Sequence, residues 1–378
     1  MEVVLSGTGG PAGWPEPGCR CASCAPARAD GRSREPAGLR LDGEPLPKDA
    51  ARAGDRFRLG AHTVALHTGP VPDQPAFTVT SGDGGRLLYA PSGITRDALT
   101  DPAIGCFDLV VLGPGPDGIR SVARTLAAAR ASAAVGDHTD VVVVGLGHDD
   151  PPVEALEPLL AAWGARVAPD GTALTVNPGP AASRPSRSRL TGRTLVLGGA
   201  RSGKSAYAED LLSAEPHVTY LATGGSRPED AEWVARVDAH RRRRPAHWAT
   251  VESTEAAAVL ATATGPVLLD CLGTWLTARM DHHGAWQAPG ALAAVQADIV
   301  ELLAGWRALA VPAVAVSNEV GSGVVPPTAS GRVFRDLLGH LNTRIAAQSE
   351  RVLLTVAGLT VTLRGPERER RGGEGRLP

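Results

Sequence analysis

The chain of 378 residues is long for one domain and comfortable for two, and 43% hydrophobic residues suffice to build a core in each. A formal net charge of −2 gives no whole-protein field to gather nucleic acid or coat an anionic membrane, so neither is expected as a partner. No apolar run approaches a membrane span, and Met1–Leu5 lacks the basic start and apolar stretch of a signal peptide, so a soluble cytoplasmic protein is expected.

In chain order, Val3–Leu5 reads as a first short strand, followed by a Gly- and Pro-rich stretch carrying Cys19, Cys21 and Cys24. These are three of only five cysteines, an odd number, and their crowding suits a metal clip better than a disulfide framework. A structural Zn²⁺ held by Cys19, Cys21, Cys24 and a fourth ligand from His148 or elsewhere stands against three reduced thiols in a loop. Further strands are expected at Thr63–Leu66, Arg86–Tyr89, Leu109–Leu112 and Val141–Val144, with helices over Ser121–Ala131 and Val153–Trp163. Residues 1–176 thus form a first α/β domain. Residues 177–192, rich in Pro, Ser and Arg and without apolar periodicity, read as a mobile linker.

From Arg193 apolar strands alternate with helices: Thr194–Leu197, Val218–Ala222, Val267–Asp270, Val314–Ser317 and Val352–Val356. Continuous apolar runs separated by helices imply a mostly parallel sheet covered on both faces, and Leu359–Leu363 can hairpin back as an edge strand. This second domain is expected over 193–365, with 366–378 a charged, Gly-rich, disordered tail.

The strongest motif opens it. Gly198-Gly199-Ala200-Arg201-Ser202-Gly203-Lys204-Ser205 fits G-x-x-x-x-G-K-[ST] at every fixed position, between a strand and a helix running to Leu212. The glycines let backbone N–H groups turn inward on phosphate oxygens, and the helix N-terminus adds partial positive charge. Lys204 is expected to bridge the outer phosphates of ATP or GTP and Ser205 to ligate Mg²⁺. Lysine occurs only at positions 48 and 204 among 38 basic residues, so Lys204 stands where arginine does not serve. Asp270, closing the Val267–Leu269 run, is the candidate carboxylate for Mg²⁺ at the sheet's carboxyl edge, and Glu319 is a second acidic residue at a strand end.

Further segments carry a resemblance. Ala222-Thr223-Gly224, Arg236-Val237-Asp238-Ala239-His240, Arg244-Pro245-Ala246-His247-Trp248, Ser317–Pro326 and Arg332–Asn342, together with the glycine loop, resemble the bifunctional adenosylcobinamide kinase and adenosylcobinamide-phosphate guanylyltransferase family of cobalamin synthesis. The resemblance covers residues 193–365. It implies a RecA-like P-loop fold and two reactions at one nucleotide site: phosphorylation of the aminopropanol hydroxyl of adenosylcobinamide, then guanylylation through a GMP-histidine. It also implies a homotrimer. The nucleophile falls on His240, and nucleotide contacts on Gly198–Ser205, Ala222, Thr223, Gly224, Arg241, Arg242, Arg243, Arg244, Glu252 and Asp270. Relatives often carry a His pair where this chain has Ala239-His240, which removes a neighbour that would tune the nucleophile. Independently of any family, a neutral imidazole is a competent nucleophile near neutral pH, and the four arginines after it can hold a triphosphate.

Ser6–Gly10, Pro17–Cys24 and Gly147–Pro151 resemble a metallo-β-lactamase-fold hydrolase. The His-x-His-x-Asp-His signature is missing, and the place of a metal-bridging Asp after Tyr89 reads Ala90-Pro91-Ser92-Gly93. A shortened, inactive relative of that fold is expected. The competing readings are a P-loop kinase of another small molecule without nucleotidyl transfer, a scaffold that only binds nucleotide, and a metal-dependent hydrolase acting through the first domain.

Overall fold

The structure is a computed structural model that describes residues 1–47, 54–71, 74–95, 99, 105–176, 189–225, 229 and 231–365, with the side chains of 232, 233, 236, 239, 240 and 289 outside the described set. Residues 177–188 of the expected linker and the expected tail 366–378 therefore lie outside the described residues. The chain divides into two compact units, Met1–Leu190 with Asp210–Pro216, and Thr191–Glu209 with His217–Pro378.

The first unit contains two sheets. One has the strand order β11-β1-β2-β3, from β1 (Glu2–Gly7), β2 (Gly38–Leu41), β3 (Glu44–Pro45) and β11 (Ala173–Thr175). The other runs β10-β9-β8-β7-β6-β5-β4. Its strands are β4 (Arg56–Leu59), β5 (His62–His67), β6 (Ala76–Thr80), β7 (Arg86–Ala90), β8 (Leu109–Leu112), β9 (Asp140–Val143) and β10 (Ala165–Val167). Strands β7 to β10 pair in parallel and β4 to β7 antiparallel. Alternating residues explain the packing: Val3, Leu5, Leu39 and Leu41 meet Val64, Leu66, Phe77, Leu87 and Tyr89 in one core shared by the two sheets. The helices are α1 (Cys24–Ala29), α2 (Ile119–Ala131) and α3 (Val153–Ala162); α2 buries Val122, Ala123, Leu126 and Ala127 at helical spacing.

The second unit is one seven-stranded sheet, ordered β14-β13-β15-β16-β12-β17-β18. Its strands are β12 (Arg193–Gly198), β13 (Thr219–Ala222), β14 (Ala249–Glu252), β15 (Val267–Asp270), β16 (Ala313–Asn318), β17 (Arg351–Val356) and β18 (Leu359–Arg364). All pairs are parallel except β17–β18, the hairpin expected at the edge. The helices are α4 (Lys204–Leu212), α5 (Ala231–Arg243), α6 (Ala256–Ala261), α7 (Leu272–His282), α8 (Leu292–Ala308) and α9 (Ala329–Ala347). Leu195, Leu269 and Ala315 on the central strands bury against Trp275, Trp306, Leu302 and Leu341 from the helices. The chain leaves β12 through α4 and returns as β13 beyond β16 and β15, so strand order reverses beside β12, where α/β sheets bind ligands at the strands' carboxyl ends. No helix among the described residues is long and apolar enough to cross a membrane.

Candidate active site

The glycine loop lies at that reversal. A Cβ on Gly198 would stand 2.5 Å from Ser202 Oγ and 2.6 Å from the Thr355 carbonyl oxygen, so only glycine lets the loop fold back on β17. Arg201 and Gly203 take positive φ angles of 57° and 98°, which turn the loop before α4 begins. The loop's fabric is local: Lys204 N–H donates to Ser202 Oγ at 3.4 Å, and the Lys204 ammonium donates to the Gly199 carbonyl at 3.3 Å. Lys204 is buried, whereas Gly199, Ala200 and Arg201 are exposed on the rim.

Parallel register brings the second half of the site to the loop. Ala222 at the end of β13 pairs with Asp270 at the end of β15. Asp270 Oδ1 accepts from Ser205 Oγ at 3.4 Å, and its Oδ2 accepts from the Tyr220 hydroxyl at 2.5 Å. Tyr220 is buried, and burial followed by the adjacent Asp270 charge pushes its ionisation far up, so it serves Asp270 as a donor. The Arg244 guanidinium lies 3.7 Å from the centroid of the Tyr220 ring, a cation–π contact. Tyr220, Ala222, Gly224, Arg244, Glu252 and Asp270 share the wall of a cavity of about 90 Å³. Thr223 is fully buried and pins the turn after β13 by donating to the Cys271 carbonyl at 2.8 Å.

The four arginines are not equivalent. Arg241 pairs with Glu252 at 2.6 Å, Arg243 is held by both oxygens of the buried Glu209, and Arg242 is exposed. Donating to the Glu209 carboxylate raises the Arg243 guanidinium above its ordinary range. Arg244 completes the cavity wall and donates to Thr250 Oγ1 at 3.3 Å. His240 belongs to α5, but its side chain lies outside the described residues, as do those of Arg236 and Ala239. Glu319 lies against the loop, because its N–H donates to the Gly198 carbonyl at 3.1 Å. The segment leading to it is fixed from α9: buried Asn342 accepts from Ser317 Oγ at 2.6 Å and donates to the Asn318 carbonyl at 3.0 Å. Arg332, at the start of α9, donates to the carbonyls of Pro326 and Pro327.

In the first unit the crowded cysteines meet a histidine. The ligand atoms of Cys19, Cys21, Cys24 and His148 lie within 4.8 Å of one another, with Cys19 Sγ 3.1 Å from His148 Nδ1. His148 Nε2 contacts Glu16 at 3.0 Å, which orients the ring with Nδ1 toward the sulfurs. Hydrogen bonds from the Cys24 and Ser23 backbone lower the Cys21 thiol to about 7.

An inward-turned loop at a helix N-terminus, with a hydroxyl and a carboxylate facing each other beside it, is equipment for holding a triphosphate. The second unit is therefore a P-loop nucleotide-binding domain. Residues 194–363 match the family described as cobinamide kinase / cobinamide phosphate guanyltransferase. The bifunctional adenosylcobalamin biosynthesis protein CobU of Escherichia coli is 38% identical over 180 residues, covering 45% of this chain and 98% of that protein. Its counterpart CobP of Pseudomonas aeruginosa is 40% identical over 178 residues, covering 46% of this chain and 98% of that protein. The chain belongs to this family of bifunctional cobinamide kinases and guanylyltransferases. A metallo-beta-lactamase fold protein, YhfI of Bacillus subtilis, aligns at 15% identity and a TM-score of 0.26 over 33% of this chain and 54% of its own, a likeness too slight to rest an assignment on.

Proposed function

We propose that the second unit performs two successive transfers at one nucleotide site. In the first, the aminopropanol hydroxyl of adenosylcobinamide attacks the γ-phosphorus of ATP or GTP and the nucleoside diphosphate leaves. In the second, His240 attacks the α-phosphorus of GTP, forming an N–P bond and releasing pyrophosphate. The phosphate of cobinamide phosphate then attacks that phosphorus, the N–P bond breaks, and adenosyl-GDP-cobinamide and free His240 result.

The observation that most supports this reading is the meeting of Ser205 Oγ and Asp270 Oδ1 at 3.4 Å beside the glycine loop. Two hard oxygen donors at that spacing suit Mg²⁺, which when bound neutralises phosphate charge. The remaining work falls to the chain. Lys204 and the loop N–H groups bind the outer phosphates, Tyr220 holds the Asp270 carboxylate in one orientation, and Arg244 offers a cation at the cavity wall. The test is incubation with α-labelled GTP. Label should become attached to the protein through a bond that is acid-labile and alkali-stable, as an N–P bond is. Kinase turnover with no protein-bound label would leave the reading of a P-loop kinase without nucleotidyl transfer.

For the first unit we propose a structural Zn²⁺ on Cys19, Cys21, Cys24 and His148, supported by four ligand atoms gathered within 4.8 Å and by the Glu16 contact behind the histidine. Metal analysis of the purified chain should find about one zinc per chain, lost on Cys21→Ser. A metal-free chain of unchanged stability would dismiss the site.

A further inference from the structure

The first unit holds a cavity of about 220 Å³ that neither transfer uses. Its wall takes residues from β2, β6 and β7 and from the proline-rich turns near them, and none of the described residues lining it is charged. Phe77 and Tyr89, directly opposed in the β6–β7 register, present two roughly parallel rings to it, with centroids 6.3 Å apart and planes 27° apart. Pro36, Pro75 and Pro91 add rigid apolar faces.

One polar group in this wall has nothing to bond. Tyr89 is only 5% exposed, and its ionisation is pushed up by burial alone, with no hydrogen-bond partner for its hydroxyl among the described residues. A phenol stripped of water needs an acceptor. Tyr89 lines the cavity, so a molecule bound there is the acceptor within its reach.

We propose that this cavity binds an uncharged, planar aromatic molecule of about two fused rings bearing a hydrogen-bond acceptor, which takes the Tyr89 proton. Size sets the ring count: a cavity of roughly 150 Å³ accepts benzene, so about 220 Å³ leaves room for a second ring. Flat proline and aromatic walls favour a flat ligand. Among the described lining residues none is charged, which disfavours phosphate or carboxylate, whose desolvation none of them would repay. The site binds and does not transform. Ser92 is the one nucleophilic hydroxyl of serine or threonine type in the described lining, it is engaged with Gln74 Oε1, and no histidine or carboxylate among the described lining residues is there to activate it.

The probes are quinoline, which carries one ring nitrogen as acceptor, and naphthalene, which has the same shape without it. Binding to the full chain is followed by saturation-transfer NMR with MgGTP in excess, so that the glycine-loop site is not the one observed. Quinoline should bind, and Tyr89→Phe should weaken it about three- to tenfold while leaving naphthalene unchanged, because the ring stays and only the donor goes. Ala37→Trp, which fills the cavity from its wall, should abolish both with an unchanged circular dichroism spectrum. Failure of quinoline to bind overturns the proposal. So does equal quinoline affinity in Tyr89→Phe, undiminished binding in Ala37→Trp, or equally tight binding of quinoline-4-carboxylate, since each removes the acceptor, the location or the neutrality from the argument.

Discussion

The roles proposed for Lys204 and His240 separate the two transfers by chemistry. Both transfers need an anchored triphosphate, so Lys204→Ala should cost each about 10²–10³ in rate, by analogy with the loss of one donor to developing oxyanion charge. Near-normal kinase turnover in that variant would refute the role given to the loop. Phosphoryl transfer to an alcohol needs alignment and charge stabilisation but no enzyme nucleophile. His240→Ala should therefore lose all protein-bound GMP while keeping kinase activity; labelling at wild-type level would move the nucleophile elsewhere, with His247 next to test. The glycine loop and Asp270 were legible in sequence because their spacing and strand-end positions are local. Tyr220 was not. In sequence it is one more apolar-compatible residue of a buried strand, and only the parallel pairing of β13 with β15 reveals that its hydroxyl reaches Asp270. The arginine run also read as uniform, and the structure divides it, because Glu209 and Glu252 belong to other elements that sequence spacing does not bring near.

At the level of elements, the strands legible in sequence include those buried on both faces. β12, β15 and β16 are nearly continuous apolar runs, and the structure has them where the pattern puts them. β14 escaped because it is an edge strand, Ala249–Glu252, with little burial and hence no pattern. The antiparallel strand β4 escaped for a related reason: half-exposed alternation over four residues is easily matched by a loop. Long-range fasteners are equally hidden. Glu350, 157 residues from Arg193, accepts from the Arg193 N–H at 2.6 Å and from its guanidinium at 2.5 Å, tying the start of β12 to the start of β17. The Arg193 hydrogen bonds lower the Glu350 carboxyl from 4.5 to about 2. A depressed carboxylate contributes stability above its unfolded value, and that contribution is lost as pH falls through the folded one. Glu350→Gln should thus lower the melting temperature at neutral pH. Its gap from wild type should narrow below about pH 4.5 and close near pH 2. The side chain is 52% exposed, so screening limits the effect to about 1 kcal/mol or less. A gap that did not change with pH would mean that the fastener acts through packing and not through charge.

For the whole molecule, the question is whether the second unit needs the first. The relatives answer part of it. A protein matched over 98% of its own length by less than half of this chain has no counterpart to the first unit in that alignment. The sheet agrees, since all seven strands of the second unit lie between Arg193 and Arg364 and none is supplied from residues 1–190. A chain beginning at Ser188 should therefore fold and retain kinase and guanylyltransferase turnover. Thermal melts of the shortened chain with and without MgGTP, beside activity assays, test this. Stabilisation by nucleotide comparable to that of the full chain, with both activities present, is the expected result. A soluble but nucleotide-blind shortened chain would show that the first unit is a structural part of the active enzyme.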